Sequence, residues 1–112
     1  MKNRNCKLYI NDILDSILKI EEYTKDLSFE KFSKNRMVID AVVRNFEIIG
    51  EASKNIPSEI KLLYKDIPWK EMAGVRNKMI HEYFGIDLDI VWKTIKDRLP
   101  ELKTALKDIK KY

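Results

Sequence analysis

Hydrophobic residues recur every three or four positions along most of the chain, which is the spacing of one face of an α-helix. The first such run covers residues 5–25, and its apolar positions are Leu8, Ile10, Ile13, Leu14, Ile17 and Leu18. Asp26 to Ser28 interrupts the run, and Ser28 has the side chain of a helix N-cap. A second run covers residues 29–54 and is apolar over more than half of its circumference. Such a helix is expected to pack against several neighbours or against another subunit.

The second half of the chain continues the helical pattern with interruptions. Pro57 is expected to end the second helix or to start a short one, because proline is favoured at the first helical position. Pro68 opens a further helical segment, which Gly85 is expected to stop. The last helix follows Asp87 and contains Pro100, where we expect a kink or a break because proline has no backbone N–H to donate. The apolar positions of this last helix are Val91, Ile95, Leu99, Leu102, Leu106 and Ile109.

These patterns predict one domain over residues 1–112, an all-α, up-and-down helical bundle of four main helices plus a short one. No stretch alternates with a period of two for long enough to predict a strand. Hydrophobic residues make up 45% of the chain, enough for a packed core rather than a disordered tail. With only 3 glycines and 3 prolines, a turn-rich sandwich or barrel is disfavoured.

Composition also narrows the chemistry. The single cysteine, Cys6, excludes an intrachain disulfide, and the single histidine, His81, excludes a two-histidine metal site within one chain. We therefore predict no metal and no cofactor. No run approaches 18 apolar residues, and the first residues lack the apolar block of a signal peptide, so the expected location is the cytoplasm without a membrane span. The net charge of +4 is compatible with a polyanionic partner without requiring one.

Residues 74–85 carry the polar groups best suited to chemistry. These are Arg76, Asn77, His81 and Tyr83. On one straight helix, Arg76 and Tyr83 would share a face and Asn77 would lie beside His81, but Arg76 and His81 would be about 140° apart. Both could act on one atom only if their side chains bend inward at a helix start, or if two copies of the chain share the site across a two-fold axis.

Histidine, arginine and asparagine together suffice for cleavage of RNA without a metal. Histidine can take the proton of a ribose 2′-hydroxyl, which then attacks the adjacent phosphate, and arginine can stabilise the charge that builds on the phosphoryl oxygens. The residues alone leave a structural alternative open. A lone histidine among apolar residues is often a structural hydrogen-bonding group, and Arg76 could pair with Glu71 or another carboxylate.

The spacing of Arg76, His81 and Tyr83 resembles the Arg-x4-His-x-Tyr signature of the HepT-like toxins, which belong to the HEPN superfamily. The flanking sequence strengthens the resemblance, with Pro-Trp at 68–69, Gly-Val-Arg-Asn at 74–77 and Tyr-Phe-Gly-Ile-Asp at 83–87. Upstream, the residues Arg44-Asn45-Phe46-Glu47-Ile48-Ile49-Gly50-Glu51-Ala52 also resemble the second-helix pattern of the family. Length and helical order match a whole small member.

The resemblance implies a dimeric helical bundle in which Arg76 and His81 of both protomers line one cleft and act as the catalytic pair, with Asn77 in support. It implies the toxin of a type VII-like toxin–antitoxin system, a metal-independent endoribonuclease acting on RNA. The implied partner is a minimal nucleotidyltransferase antitoxin, which inactivates the toxin by transferring AMP to Tyr83. Two alternatives stay open: a non-catalytic nucleotide-binding dimer that docks a nucleotidyltransferase, and a purely structural dimer formed through residues 38–49.

Other conspicuous residues receive structural interpretations. Glu47 and Glu51 lie one helical turn apart and could reach the cleft, but they are expected to form a solvated carboxylate face, outside the core site. Lys78 is the lysine nearest to the motif and could contact RNA phosphates. The residues expected only to pack or to fill gaps are Trp69, Trp92, Met37, Met72 and Met79.

Overall fold

The structure, a computed structural model, describes residues 2–81 and 85–110, with side chains described for residues 6–80 and 85–109. The helices are α1 (Lys2–Thr24), α2 (Phe29–Ser33), α3 (Arg36–Lys54), α4 (Ser58–Leu63), α5 (Trp69–Ala73), α6 (Val75–Met79), α7 (Leu88–Lys93) and α8 (Leu99–Lys110). A π-helical segment, Thr94–Arg98, joins α7 to α8, and two short strands, β1 (Ile80–His81) and β2 (Gly85–Ile86), form an antiparallel pair. The predicted all-α class is confirmed.

The run at residues 29–54 is two helices rather than the single one predicted. Ser28 caps α2 as expected, because its hydroxyl oxygen accepts a hydrogen bond from the Lys31 N–H at 3.1 Å. The chain then leaves the helix, and the Asn35 side chain caps α3 by accepting from the Val38 N–H at 3.1 Å. Asn35 is extended, with φ −104° and ψ 90°. The Asn35 side chain, which accepts a backbone hydrogen bond, therefore starts a new helix. The apolar spacing alone does not reveal this start.

The segment that was expected to stay helical from Pro68 to Gly85 is also divided. Helix α6 ends at Met79, and Ile80 is extended with φ −111° and ψ 119°. Strand β1 then pairs with β2, with Ile80 opposite Ile86 and His81 opposite Gly85. Gly85 has φ 77°, in the left-handed region that favours glycine, so it allows the chain to reverse here. Because His81 lies beyond the helix, the angles calculated for one straight helix do not apply to it.

Helix continues through Pro100, where a break or kink was expected. The preceding turn is π-helical, and the Leu99 N–H bonds to the Thr94 carbonyl five residues earlier. This wider turn lies directly before Pro100, the residue that cannot donate a backbone hydrogen bond, so the chain stays helical into α8. Asp87 caps α7 by accepting from the Ile90 N–H at 3.2 Å, which fits the predicted helix start.

In the core α1 packs against both α3 and α8, and the shorter helices α2, α5 and α6 pack against α3. The six apolar positions predicted for the last helix are all buried. Trp69 packs as predicted, being 7% exposed with its Nε1–H donating to the Tyr64 carbonyl at 3.1 Å. The Trp92 ring also packs, 5.1 Å from the centre of the Phe32 ring.

Several large apolar side chains are exposed, and Leu8, Leu18 and Met37 among them are positions that the sequence pattern assigned to packing. Met72 and Met79 are buried as expected, but Met37 is 81% exposed and fills no gap. It follows directly after the first residue of α3, where no neighbouring helix covers it within the described residues. The other large apolar side chains exposed by more than half are Leu8, Leu18, Leu62 and Leu63. Within the described chain, no helix has both the length and the apolar character needed to cross a membrane.

Candidate active site

Helix α6 presents the first part of the motif to solvent. Val75 and Met79 are 9% and 1% exposed and, being four residues apart, anchor one face of this helix in the core. The three residues between them that face outward are Arg76, Asn77 and Lys78, all exposed. A five-residue helix held by two apolar side chains thus places an arginine and an asparagine side by side on the surface.

The guanidinium of Arg76 is held by a carboxylate from α3. Its Nε lies 3.3 Å from Oε2 of Glu47, and the two side chains are 53% and 36% exposed. Glu71, the partner suggested from the sequence, instead binds Arg98 at 2.7 Å. An ion pair this exposed is weak, so it orients Arg76 without preventing the remaining guanidinium N–H groups from binding a phosphate.

Glu47 is the residue beside Arg76 that the sequence interpretation left outside the core site. It was assigned to a solvated carboxylate face together with Glu51, and only the packing of α3 against α6 brings it to Arg76. A signal was present, because Glu47 lies within the 44–52 segment that resembles the family pattern. Glu51 remains exposed and lies 3.9 Å from Lys54, so it is part of a solvated face as expected.

The backbone of His81 is connected directly to α6. The Ile80 N–H donates to the Arg76 carbonyl, and the next residue is His81 on β1. The Asp87 N–H donates to the Met79 carbonyl at 2.6 Å, which ties the far side of the hairpin to the same helix end. The His81 side chain and all of Tyr83 lie outside the described residues.

An open groove of about 390 Å³ lies beside the Arg76–Glu47 pair, between α1 and α3. Glu47 belongs to both features. The groove is lined by Tyr9, Asp12, Arg44, Glu47, Ile48, Glu51, Ala52 and Asn55. Its half-buried Ile48 and the exposed Leu8, one residue before Tyr9, give the surface around the groove an apolar component.

Among residues 2–81 and 85–110, no group of three or more His, Cys, Asp or Glu side chains is placed to hold a metal ion. Cys6 lies on α1 and is 3% exposed, and its burial raises the pKa of the thiol above its usual range. A protonated thiol is a poor nucleophile, which agrees with the absence of Cys6 from the predicted site.

Comparison of the chain with known protein families shows which class of protein contains this arginine and histidine. The family model described as ribonuclease HepT-like matches residues 13–109. The chain belongs to the HepT-like ribonuclease family. The resemblance found in the motif and its flanking residues is thereby confirmed.

Relatives in archaea and bacteria agree with this membership. The chain is 47% identical over 108 residues to a Thermococcus cleftensis protein named "Probable ribonuclease HepT", covering 96% of this chain and 98% of that one. It is 44% identical to a Methanocaldococcus jannaschii protein named "Putative RNase", covering 92% of this chain and 94% of that one. A Caldanaerobacter subterraneus protein of the same description is 46% identical, with 90% of each chain covered. No solved structure matches the chain.

Proposed function

We propose that this HepT-like chain is a metal-independent endoribonuclease and the toxin of a type VII-like toxin–antitoxin system, acting in the cytoplasm. The observation that carries the proposal is the exposed position of Arg76, whose Nε lies 3.3 Å from Oε2 of Glu47. The helix that contains Arg76 leads directly into His81. An arginine and a histidine thus lie on one short segment, and these residue types supply a permanent cation and a proton acceptor. These are the two functions that cleavage by a ribose 2′-hydroxyl needs.

In the proposed reaction, His81 takes the proton of the 2′-hydroxyl. The 2′-oxygen attacks the phosphorus, the bond from phosphorus to the 5′-oxygen breaks, and the leaving 5′-oxygen takes a proton from an imidazolium or from water. The products are a 2′,3′-cyclic phosphate and a 5′-hydroxyl. Arg76 donates to the non-bridging oxygens as their charge increases, and Asn77 supports the position of the imidazole or of a substrate oxygen. DNA lacks the attacking group and is expected to resist cleavage.

The proposed functional unit is a homodimer with a site shared between two copies. Support comes from the groove beside Glu47, from the exposed Leu8 and from the exposed position of Arg76, which leaves its outer side accessible to a second chain. In such a dimer one histidine can act as base, and either the second histidine or water can protonate the leaving oxygen, so one arginine and one histidine suffice for partial activity. Mixing Arg76→Ala protein with His81→Ala protein should then restore part of the activity, whereas independent sites would give none.

Tyr83 is the proposed site of inactivation by a minimal nucleotidyltransferase antitoxin. Its phenolic oxygen would attack the α-phosphorus of ATP, pyrophosphate would leave, and the phenolic proton would pass to solvent. Because Tyr83 follows His81 by two residues, the attached phosphodiester would bring negative charge to the motif. It would compete with the RNA phosphate for Arg76 and repel the substrate.

The direct test uses purified protein and a labelled short RNA in EDTA, with His81→Ala as the paired variant and mass spectrometry to show that Tyr83 is unmodified. Cleavage by the wild type alone, ending in a 2′,3′-cyclic phosphate, is the expected result. Absence of cleavage across several RNAs would contradict the proposal. Nucleotide binding that depends on Arg76 would then favour the non-catalytic dimer that docks a nucleotidyltransferase.

A further inference from the structure

A second cleft lies on the other end of α3 and is separate from the groove beside Glu47. It has a volume of about 480 Å³ and is open to solvent. Its lining comes from the α2–α3 junction on one side and from β2 with the start of α7 on the other: Ser33, Lys34, Arg36, Ile39, Gly85, Ile86 and Leu88. We call it the Arg36 cleft.

The Arg36 cleft combines cationic rims with an apolar floor. Lys34 and Arg36 are exposed, whereas Ile39 is 5% exposed and Ile86 and Leu88 are half-buried. A floor of this kind suits the face of a base or ribose, and two cations at the rim suit phosphate oxygens. The cleft therefore has the chemistry of a short single-stranded nucleic-acid site.

The geometry of α3 connects this cleft to the candidate active site. Arg36 and Glu47 are eleven residues apart, so they lie about 20° from eclipsed and about 16 Å apart along the helix axis. One face of α3 thus carries the cleft at its start and the carboxylate that holds Arg76 further along. The hairpin strengthens the connection, because Gly85 lines the cleft and pairs with His81.

We propose that the Arg36 cleft binds the strand of substrate RNA on one side of the scissile phosphate. This inference rests on the proposed ribonuclease function and adds an extended subsite to it. Lys34 and Arg36 contact phosphates a few nucleotides from the reacting bond, and the apolar floor takes a base or ribose. The consequence is a preference for RNA longer than a dinucleotide.

The ion pairs that these cations already make are weak enough to be exchanged. Lys34 Nζ lies 3.4 Å from Glu30, and Arg36 Nε lies 3.5 Å from Asp40. All four side chains are at least 62% exposed, so each pair is screened by water and salt. A phosphate can therefore replace the carboxylate without leaving a buried charge unpaired.

The test compares a dinucleoside monophosphate with a ten-nucleotide RNA as substrates. The double variant Lys34→Gln/Arg36→Gln should lose about tenfold or more in kcat/KM on the long RNA, mainly through KM, and keep wild-type activity on the dinucleotide. The slope of log affinity against log salt should fall by about 1.4, since each phosphate contact on a single strand contributes about 0.7. The matched control is Lys19→Gln/Lys107→Gln, which removes two exposed lysines outside the cleft and should retain wild-type affinity and length preference.

Equal losses on both substrates, or equal behaviour of the double variant and its control, would overturn the subsite. Urea unfolding of each variant checks that the variant is folded. A binding assay separates this proposal from the ribonuclease proposal, using His81→Ala protein and a fluorescent ten-nucleotide RNA. If the wild type does not cleave but the double variant binds RNA more weakly than the control variant does, the RNA-binding role of the cleft is supported and the catalytic assignment is wrong.

Discussion

Helix α3 and the segment 74–86, of which residues 74–81 and 85–86 are described, are stabilised in different ways, although α3 packs directly against α6. Much of α3 is buried, with Phe46 at 1% and Ile49 at 2% exposed between α1 and α5. In the neighbouring segment Val75 and Met79 are anchored in the core, and the consecutive polar residues between them, Arg76, Asn77 and Lys78, are exposed. Its strand pairing consists of two residue pairs.

This difference separates folding from chemistry along the chain. Apolar burial supplies the dominant favourable free energy of folding, so stability is concentrated in α3 and its neighbours. The segment 74–86 contributes less, and its exposed side chains are available to a substrate. Substitutions in the two regions should therefore change different measured quantities.

The largest effect is expected inside α3. Phe46→Ala removes a fully buried ring and should lower the free energy of unfolding by about 3–5 kcal/mol, measured by urea denaturation. Met37→Ala is the matched control on the same helix, because Met37 is 81% exposed and its loss should change stability by less than about 0.5 kcal/mol. Equal losses of unfolding free energy in the two variants would contradict the expected difference between buried and exposed positions of α3.

A smaller effect, on activity alone, is expected where the two regions meet. Glu47→Gln removes the charge that orients Arg76 and should lower RNA cleavage by about tenfold through misplacement of the guanidinium. Stability should be almost unchanged because the ion pair is exposed. The control is Glu22→Gln, an exposed glutamate of α1 outside the groove. If both variants cleave alike, Glu47 has no positioning role.

Gly85→Ala tests the hairpin itself. The space around Gly85 is open, but its φ of 77° strains any residue with a Cβ, so a loss of about 1 kcal/mol in unfolding free energy is expected. Gly74→Ala is the control, since Gly74 has φ −101° and a Cβ there would meet the Lys70 carbonyl at an ordinary 3.6 Å. Greater stability of the Gly85→Ala protein would contradict the turn geometry.

The smallest effect concerns Cys6 in the core. Burial raises the pKa of its thiol in the folded chain, so the stability contributed by the protonated thiol is present at neutral pH and is lost as pH rises through the folded pKa. Maleimide labelling of Cys6 should accordingly be slower in the folded chain than in urea. Equal labelling rates would show that the start of α1 does not protect the thiol.

Much of the fold follows from short-range signals in the sequence. The caps at Ser28 and Asp87 and the buried positions of the last helix follow from side-chain chemistry and from a period near 3.6 residues. The break at Asn35 was missed because the apolar period runs through it. The hairpin was missed because two-residue strands are too short to show alternation.

The candidate site was predictable only in part, because the sequence pattern shows local spacing but not contacts between distant residues. Arg76 and Asn77 lie exposed on one helix and their assignment to the site stays a prediction, whereas the pairing of Arg76 with Glu47 joins positions 29 residues apart. Local periodicity does not contain such a contact, which arises only from the packing of α3 against α6. The same holds for the Arg36 cleft, whose two walls come from distant parts of the chain.

The most direct measurement of the central claim combines two readouts on one Arg76→Ala preparation: the rate of RNA cleavage and the free energy of unfolding. The account predicts a cleavage rate lower by about 100-fold or more, because the phosphoryl oxygens lose their cationic donor. It predicts a stability within about 0.5 kcal/mol of the wild type, because Arg76 is 53% exposed and weakly paired. Wild-type cleavage together with a large loss of stability would show that Arg76 serves the fold and not the chemistry.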